Sequence, residues 1–188
     1  MSNSTSAGMM PEESLVRQLL GRQPRLPYVV ASRCPKGTPQ VLLADPVFFE
    51  EGRWKPFPSF LWLVCPRLKN AVAKLEQEGF IQMFAHRLRE DRGFREEFLD
   101  GHQKMVAQRL ELAAKVCASD LSADVKKILE TATIAGSRSI FGVKCLHAHL
   151  AQTMVGGKNP IGKTIAEKIG PCTADVPCVK KTEGGFGK

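Results

Sequence analysis

The feature that most constrains the fold is the junction Cys65-Pro66. Before it, apolar residues come in short runs separated by Pro, Gly and Asp. After it, they recur at helical spacing almost to the end of the chain. Proline suits the first helical turn, where its missing N–H would have no partner anyway. The junction therefore predicts a strand-forming N-terminal part and a helical remainder.

On the N-terminal side, β-propensity predicts strands over Tyr28–Arg33, Gln40–Ala44 and Ser59–Val64. The turn signal Cys34-Pro35-Lys36-Gly37 separates the first two, and Asp45–Pro58 reads as a loop. Ahead of them, Glu12–Arg22 reads as a short helix. Beyond Pro66, helices are predicted from Pro66 to Gly79, Phe80 to Arg89, Phe94 to Cys117 and Ser122 to Thr133. Gly101 and His102 are expected to interrupt the long third one. A further helix from about Gly142 to Gly156 would carry Cys145 inside its first turns, and Lys163–Ile169 completes the set. The expected fold class is α+β, with a small antiparallel β-unit near the N-terminus followed by a predominantly helical body. Residues 1–11 read as a disordered leader, 12–179 as a single domain and 180–188 as a flexible tail.

The 188 residues carry a net charge of +8, with 43% hydrophobic and 24% charged residues. That is an ordinary globular composition. The basic residues alternate with acids inside helices, the pattern of a solvated face and not of a specific nucleic-acid surface. No secretory leader is evident, and no apolar run approaches the ~20 residues of a membrane span. A cytoplasmic location is therefore expected. In that reducing setting the six cysteines read as thiols or metal ligands before disulfides.

Cys34 and Cys65 each end a strand and precede a proline, while Cys172 and Cys178 lie near the C-terminus. With Cys145 they form a scattered thiol set. Thiolates suit iron–sulfur clusters, zinc or copper(I). The close C-x-x-C pairs of structural zinc sites are lacking, so an iron–sulfur cluster is the first expectation, zinc the alternative and no metal the third. Cys117, inside the long helix, reads as a packing thiol. Cys145 and His149 are i and i+4 and would share a helix face, making His149 a candidate ligand and placing His147 on the far side.

Two other readings stay open. Cys65 or Cys145 could be the nucleophile of a metal-free thiol enzyme with His149 as base. Alternatively, Gly136-Ser137-Arg138-Ser139 and Lys144 could bind a phosphate-bearing partner through Arg138 and Lys144. The carboxylates Glu96, Glu97 and Asp100 read as a salt-bridged helix face.

Four segments carry a resemblance. They are Ser32-Arg33-Cys34-Pro35-Lys36-Gly37-Thr38-Pro39, Leu63-Val64-Cys65-Pro66-Arg67-Leu68, Val143-Lys144-Cys145-Leu146-His147-Ala148 and Asn159-Pro160-Ile161-Gly162. In combination they resemble DUF501, an uncharacterised bacterial family, over about Pro27 to Val179. The resemblance implies a core set of Cys34, Cys65, Cys145 and Cys178, the last in a late Pro177-Cys178 pair. It leaves open whether Cys172 or Cys178 is the fourth ligand.

Overall fold

A computed structural model of the chain describes residues 12–117, 121–137, 139–173 and 178. The order is α1 (Glu12–Leu20), β1 (Tyr28–Arg33), β2 (Pro39–Ala44), β3 (Val47–Glu50), β4 (Arg53–Pro56) and β5 (Leu61–Leu63). Then come α2 (Pro66–Gln77), α3 (Phe80–Glu90), α4 (Arg92–Val116), α5 (Ala123–Thr131), α6 (Leu146–Met154) and α7 (Pro160–Ile169). The class is the α+β one expected: small antiparallel strands near the N-terminus and a mostly helical body.

Three strands form one antiparallel sheet in the order β1-β2-β5. Val29 faces Leu43 across β1 and β2, and Val41 faces Leu63 across β2 and β5. The segment expected to be a loop holds a second sheet, the hairpin β3–β4, with Phe49 opposite Trp54. Its turn, Glu51-Gly52, takes positive φ at both residues, 52° and 76°. That is the twist a two-residue hairpin needs, and glycine supplies half of it without steric cost. Phe49 and Trp54 meet edge to face at 5.5 Å.

The main core joins β2 and β5 to α2, α3, α4, α6 and α7 through Val41, Phe60, Leu68, Phe84, Leu146 and Ile161, all at most 5% exposed. A second cluster sets Cys117, which caps the end of α4, against Val47 and Leu129. Between the two parts runs Arg109, fully buried on α4. Its guanidinium donates to the carbonyls of Pro58 at 3.1 Å and Ala132 at 2.6 Å. Burial lowers its pKa to about 10, so it stays charged at neutral pH while binding two loop carbonyls.

Helix boundaries differ from expectation in three places, the first being α7, which begins at Pro160 and not at Lys163 because Asn159 caps it. Gly101 does not interrupt α4, which runs unbroken for 25 residues. The glycine is there for space: a Cβ would fall 1.8 Å from the Lys158 carbonyl oxygen. And α6 begins at Leu146, not near Gly142, so Cys145 is its cap residue, in extended conformation.

Candidate functional site

α2 brings Glu76 to the start of α6. Its Oε1 accepts a hydrogen bond from Leu146 N–H at 2.8 Å, one of the donors a helix start leaves without an internal partner. The same oxygen lies 3.2 Å from His147 Nδ1, and Cys145 Sγ lies 3.7 Å from that nitrogen. His147 Nε2 stands 3.2 Å from the Lys69 carbonyl, about two turns before Glu76 on α2. A carbonyl only accepts, so Nε2 carries the hydrogen and Nδ1 is the nitrogen facing Glu76 and Cys145. Ligand atoms of Glu76, Cys145 and His147 all lie within 4.8 Å of one another.

Electrostatics follow the geometry. Burial works to raise the Cys145 thiol's pKa, but the hydrogen bond with His147, the Ala148 N–H and the His147 charge outweigh it, leaving it lowered. His147 moves the other way. Its hydrogen bond to Cys145 raises it against burial, with the charges of Cys145 and Glu76 and the Lys69 carbonyl adding to the rise.

The expected pairing of Cys145 with His149 is not what forms. Because Cys145 precedes the helix in extended conformation, the i, i+4 geometry does not reach it. His149 turns toward α4 and α7 instead. It is 2% exposed, packs 5.9 Å from the Phe98 ring and takes a hydrogen bond on Nδ1 from Asn159 Nδ2 at 2.9 Å. Burial holds its pKa down at about 4, so it is neutral. His147, expected on the far side, is the partner of Cys145.

Of the remaining thiols, Cys117 packs in the second core cluster and the other four lie apart from Cys145. Cys34 opens a tight turn, with its N–H donating to Thr38 O at 2.9 Å and its carbonyl accepting from Gly37 N–H at 2.8 Å. Cys65 caps α2, and its N–H reaches Gln40 O at 3.4 Å. β1 and β5 do not pair; β2 lies between them, so Cys34 and Cys65 flank the start of β2. The Cys178 thiol's pKa is raised first by burial, then by the neighbouring thiols of Cys65, Cys172 and Cys34. Cys145 is not among these neighbours. All six cysteines are among the described residues, and none forms a disulfide.

Arg138 lies outside the described residues, and Lys144 is exposed. Around them the loop satisfies itself: Thr133 Oγ1 accepts from Ser137 N–H at 3.1 Å and Ser137 Oγ from Ser139 N–H at 3.3 Å. Glu76 was invisible to sequence reasoning. It stands on a helix whose local pattern gives it no more weight than Glu78, and its partners lie about seventy positions away.

Residues 30–167, most of the chain, match the family described as "Protein of unknown function (DUF501)". The chain belongs to that family. Three of its four resembling segments thus meet the two thiol groups, and the fourth, Asn159-Pro160-Ile161-Gly162, builds the cap of α7 and the partner of His149. No curated protein and no solved structure matches the chain. Among the described residues, no helix is long and apolar enough to cross a membrane.

Proposed function

We propose that this DUF501 protein binds a divalent metal of the zinc class through Glu76 Oε1, Cys145 Sγ and His147 Nδ1. One observation carries the reading: three groups that act as electron-pair donors face a single point. Zinc sits ~2.0–2.1 Å from nitrogen or oxygen and ~2.3 Å from sulfur, so tetrahedral ligand atoms stand roughly 3.3–3.5 Å apart. The separations from Nδ1 are 3.2 Å to the carboxylate and 3.7 Å to the thiol. The surrounding bonds fit the same use. Lys69 O fixes the imidazole tautomer through Nε2, and Leu146 N–H orients the carboxylate, as outer partners of metal ligands do. Three protein ligands leave a fourth position for water or a substrate.

The test is zinc titration against a chromophoric chelator, in a Cys172→Ala/Cys178→Ala background that removes two competing thiols. One equivalent is expected. Glu76→Gln should weaken it on the order of 10–100-fold or more, and His147→Ala and Cys145→Ala should abolish tight binding. Unchanged affinity in His147→Ala would refute the site.

A second reading has its own observation, the lowered pKa of Cys145 beside His147. Without metal the two opposed shifts favour passing the thiol proton toward the imidazole, which would make Cys145 a more reactive nucleophile. Peptide-resolved alkylation near neutral pH would then label Cys145 well ahead of the other cysteines, and zinc would suppress the labelling.

A further inference from the structure

Beyond that site, we propose that Cys34, Cys65, Cys172 and Cys178 hold an iron–sulfur cluster. Each element delivers its thiol for a local reason. The Cys34 turn closes β1 and leads into β2, the Cys65 cap opens α2, and Gln40 O at the start of β2 holds the Cys65 end by accepting from Val64 N–H at 2.8 Å and Cys65 N–H at 3.4 Å. Cys172 is brought in from the end of α7. Arg67, in the first turn of α2, donates from Nη2 to Pro171 O at 3.1 Å, so the residue before Cys172 is held on the helix that Cys65 caps. The residues around Cys34, Cys65 and Cys172 line a single cavity of about 410 Å³, with Pro35, Gln40, Leu68, Ile169, Pro171 and Cys172 in its wall. Cys65, Cys172 and Cys34 are the thiols that act electrostatically on Cys178.

Two further observations point to a cluster. The first is spacing. A single zinc requires its thiolates about 3.8 Å apart. Among the described residues the group with ligand atoms mutually within 4.8 Å is Glu76, Cys145 and His147, and no three of the four sulfurs meet that limit. Thiolates that each bind a different iron are spread wider, roughly 4–7 Å across a small cluster. The second is charge. Arg67 Nη1 is buried with no hydrogen-bond partner, although Nη2 is engaged. A buried cationic N–H in the first turn of the helix that Cys65 caps is suited to the net negative charge of a thiolate-ligated cluster, whose potential responds to such hydrogen bonds. Cys34 and Cys65 are buried at 7% and 1% exposure, while Cys172 and Cys178 are half-buried, which leaves the second pair as the side from which iron and sulfide could enter.

The two sites are separate. α2 rises ~1.5 Å per residue, so Glu76 stands roughly 16 Å along it from Cys65. Cys145 serves the first site and is not a ligand of the second.

The full chain, purified anaerobically or reconstituted with ferrous iron and sulfide, should contain iron and acid-labile sulfide in equal amounts. It should also show visible charge-transfer absorption that dithionite bleaches. Cys172→Ala and Cys178→Ala, at partly exposed positions where folding is not at stake, should each lose most of the iron and sulfide. Cys145→Ala and His147→Ala should keep both. The proposal is overturned if iron arrives without sulfide, or if neither is retained by folded wild-type protein. It is also overturned if zinc alone fills the four thiols, if Cys172→Ala and Cys178→Ala keep the cluster, or if Cys145→Ala loses it.

Discussion

Two histidines two residues apart on α6 meet opposite fates. His149 is enclosed, and its contacts complement it: the Asn159 amide donates to Nδ1 while the ring packs on Phe98. Asn159 is itself fully used. Its Nδ2 also donates to Gln152 Oε1 at 2.7 Å, and its Oδ1 accepts from Gly162 N–H at 3.0 Å, capping α7. Gln152 closes the network by donating to Gly101 O at 3.3 Å. The amides of Asn159 and Gln152 meet acceptors, and the result is a brace between α4, α6 and α7. His147 is one-quarter exposed, and its Nδ1 faces a carboxylate and a thiol. Those groups have no cation among them other than a proton. A saturated polar network holds a fold together, whereas converging acceptors are completed by something added.

The largest effect expected from this contrast falls on the brace. Asn159→Ala removes the α7 cap, worth ~1 kcal/mol, and strands the buried His149 Nδ1 and Gln152 Oε1, at ~1–3 kcal/mol each. Urea unfolding should show a loss of roughly 3–5 kcal/mol. A loss under ~1 kcal/mol would mean that the network is not what holds α6 to α7.

Next in size is the response to metal. A ligand that binds only the folded state stabilises it by ~2.7 kcal/mol at a hundredfold excess over its dissociation constant. Zinc should therefore raise the melting temperature of the Cys172→Ala/Cys178→Ala protein, and Glu76→Gln should remove most of the rise. A rise that survives His147→Ala would place the metal elsewhere and dissolve the contrast between the histidines.

Much of the fold could be read from sequence, because strand and helix periodicity are local. β1, β2 and β5 appear at or within two residues of their expected positions, and the α2 start at Pro66 is where proline placed it. The hairpin β3–β4 was missed because four-residue strands give periodicity too little length; Val-Phe-Phe followed by Glu-Gly was the available signal. For the site, residue types were legible and pairings were not. Cys145 and His149 looked like neighbours only on the assumption that both were helical, and a four-residue shift in the start of α6 gave Cys145 to His147 instead. Glu76 could not be found at all, since its meeting with α6 is made by tertiary packing of α2. Cys34 and Cys65 could be placed at strand ends from sequence, but the order of the strands could not. The structure sets β2 between the strands, about 10 Å across, with Cys65 held to β2 at Gln40 and the residue before Cys172 held to α2 by Arg67.

The smallest effect is the sharpest test of the comparison. In metal-free protein, His147→Ala removes a side chain that is 25% exposed and pairs with a carboxylate of equal exposure. A partly exposed ion pair contributes ~0–1 kcal/mol. Glu76 keeps its bond from Leu146 N–H after the change, so no buried acceptor is stranded. The Lys69 carbonyl belongs to a helix and keeps its place in the backbone ladder. Chemical denaturation should therefore show a loss below ~1 kcal/mol, several times smaller than that of Asn159→Ala on the same α6–α7 corner. A loss comparable to that of Asn159→Ala would make the Glu76–Cys145–His147 group a second brace, holding α2 to α6 as Asn159 holds α6 to α7. A small loss together with abolished zinc binding would mark a polar group that the folded chain carries for a ligand and not for its own stability.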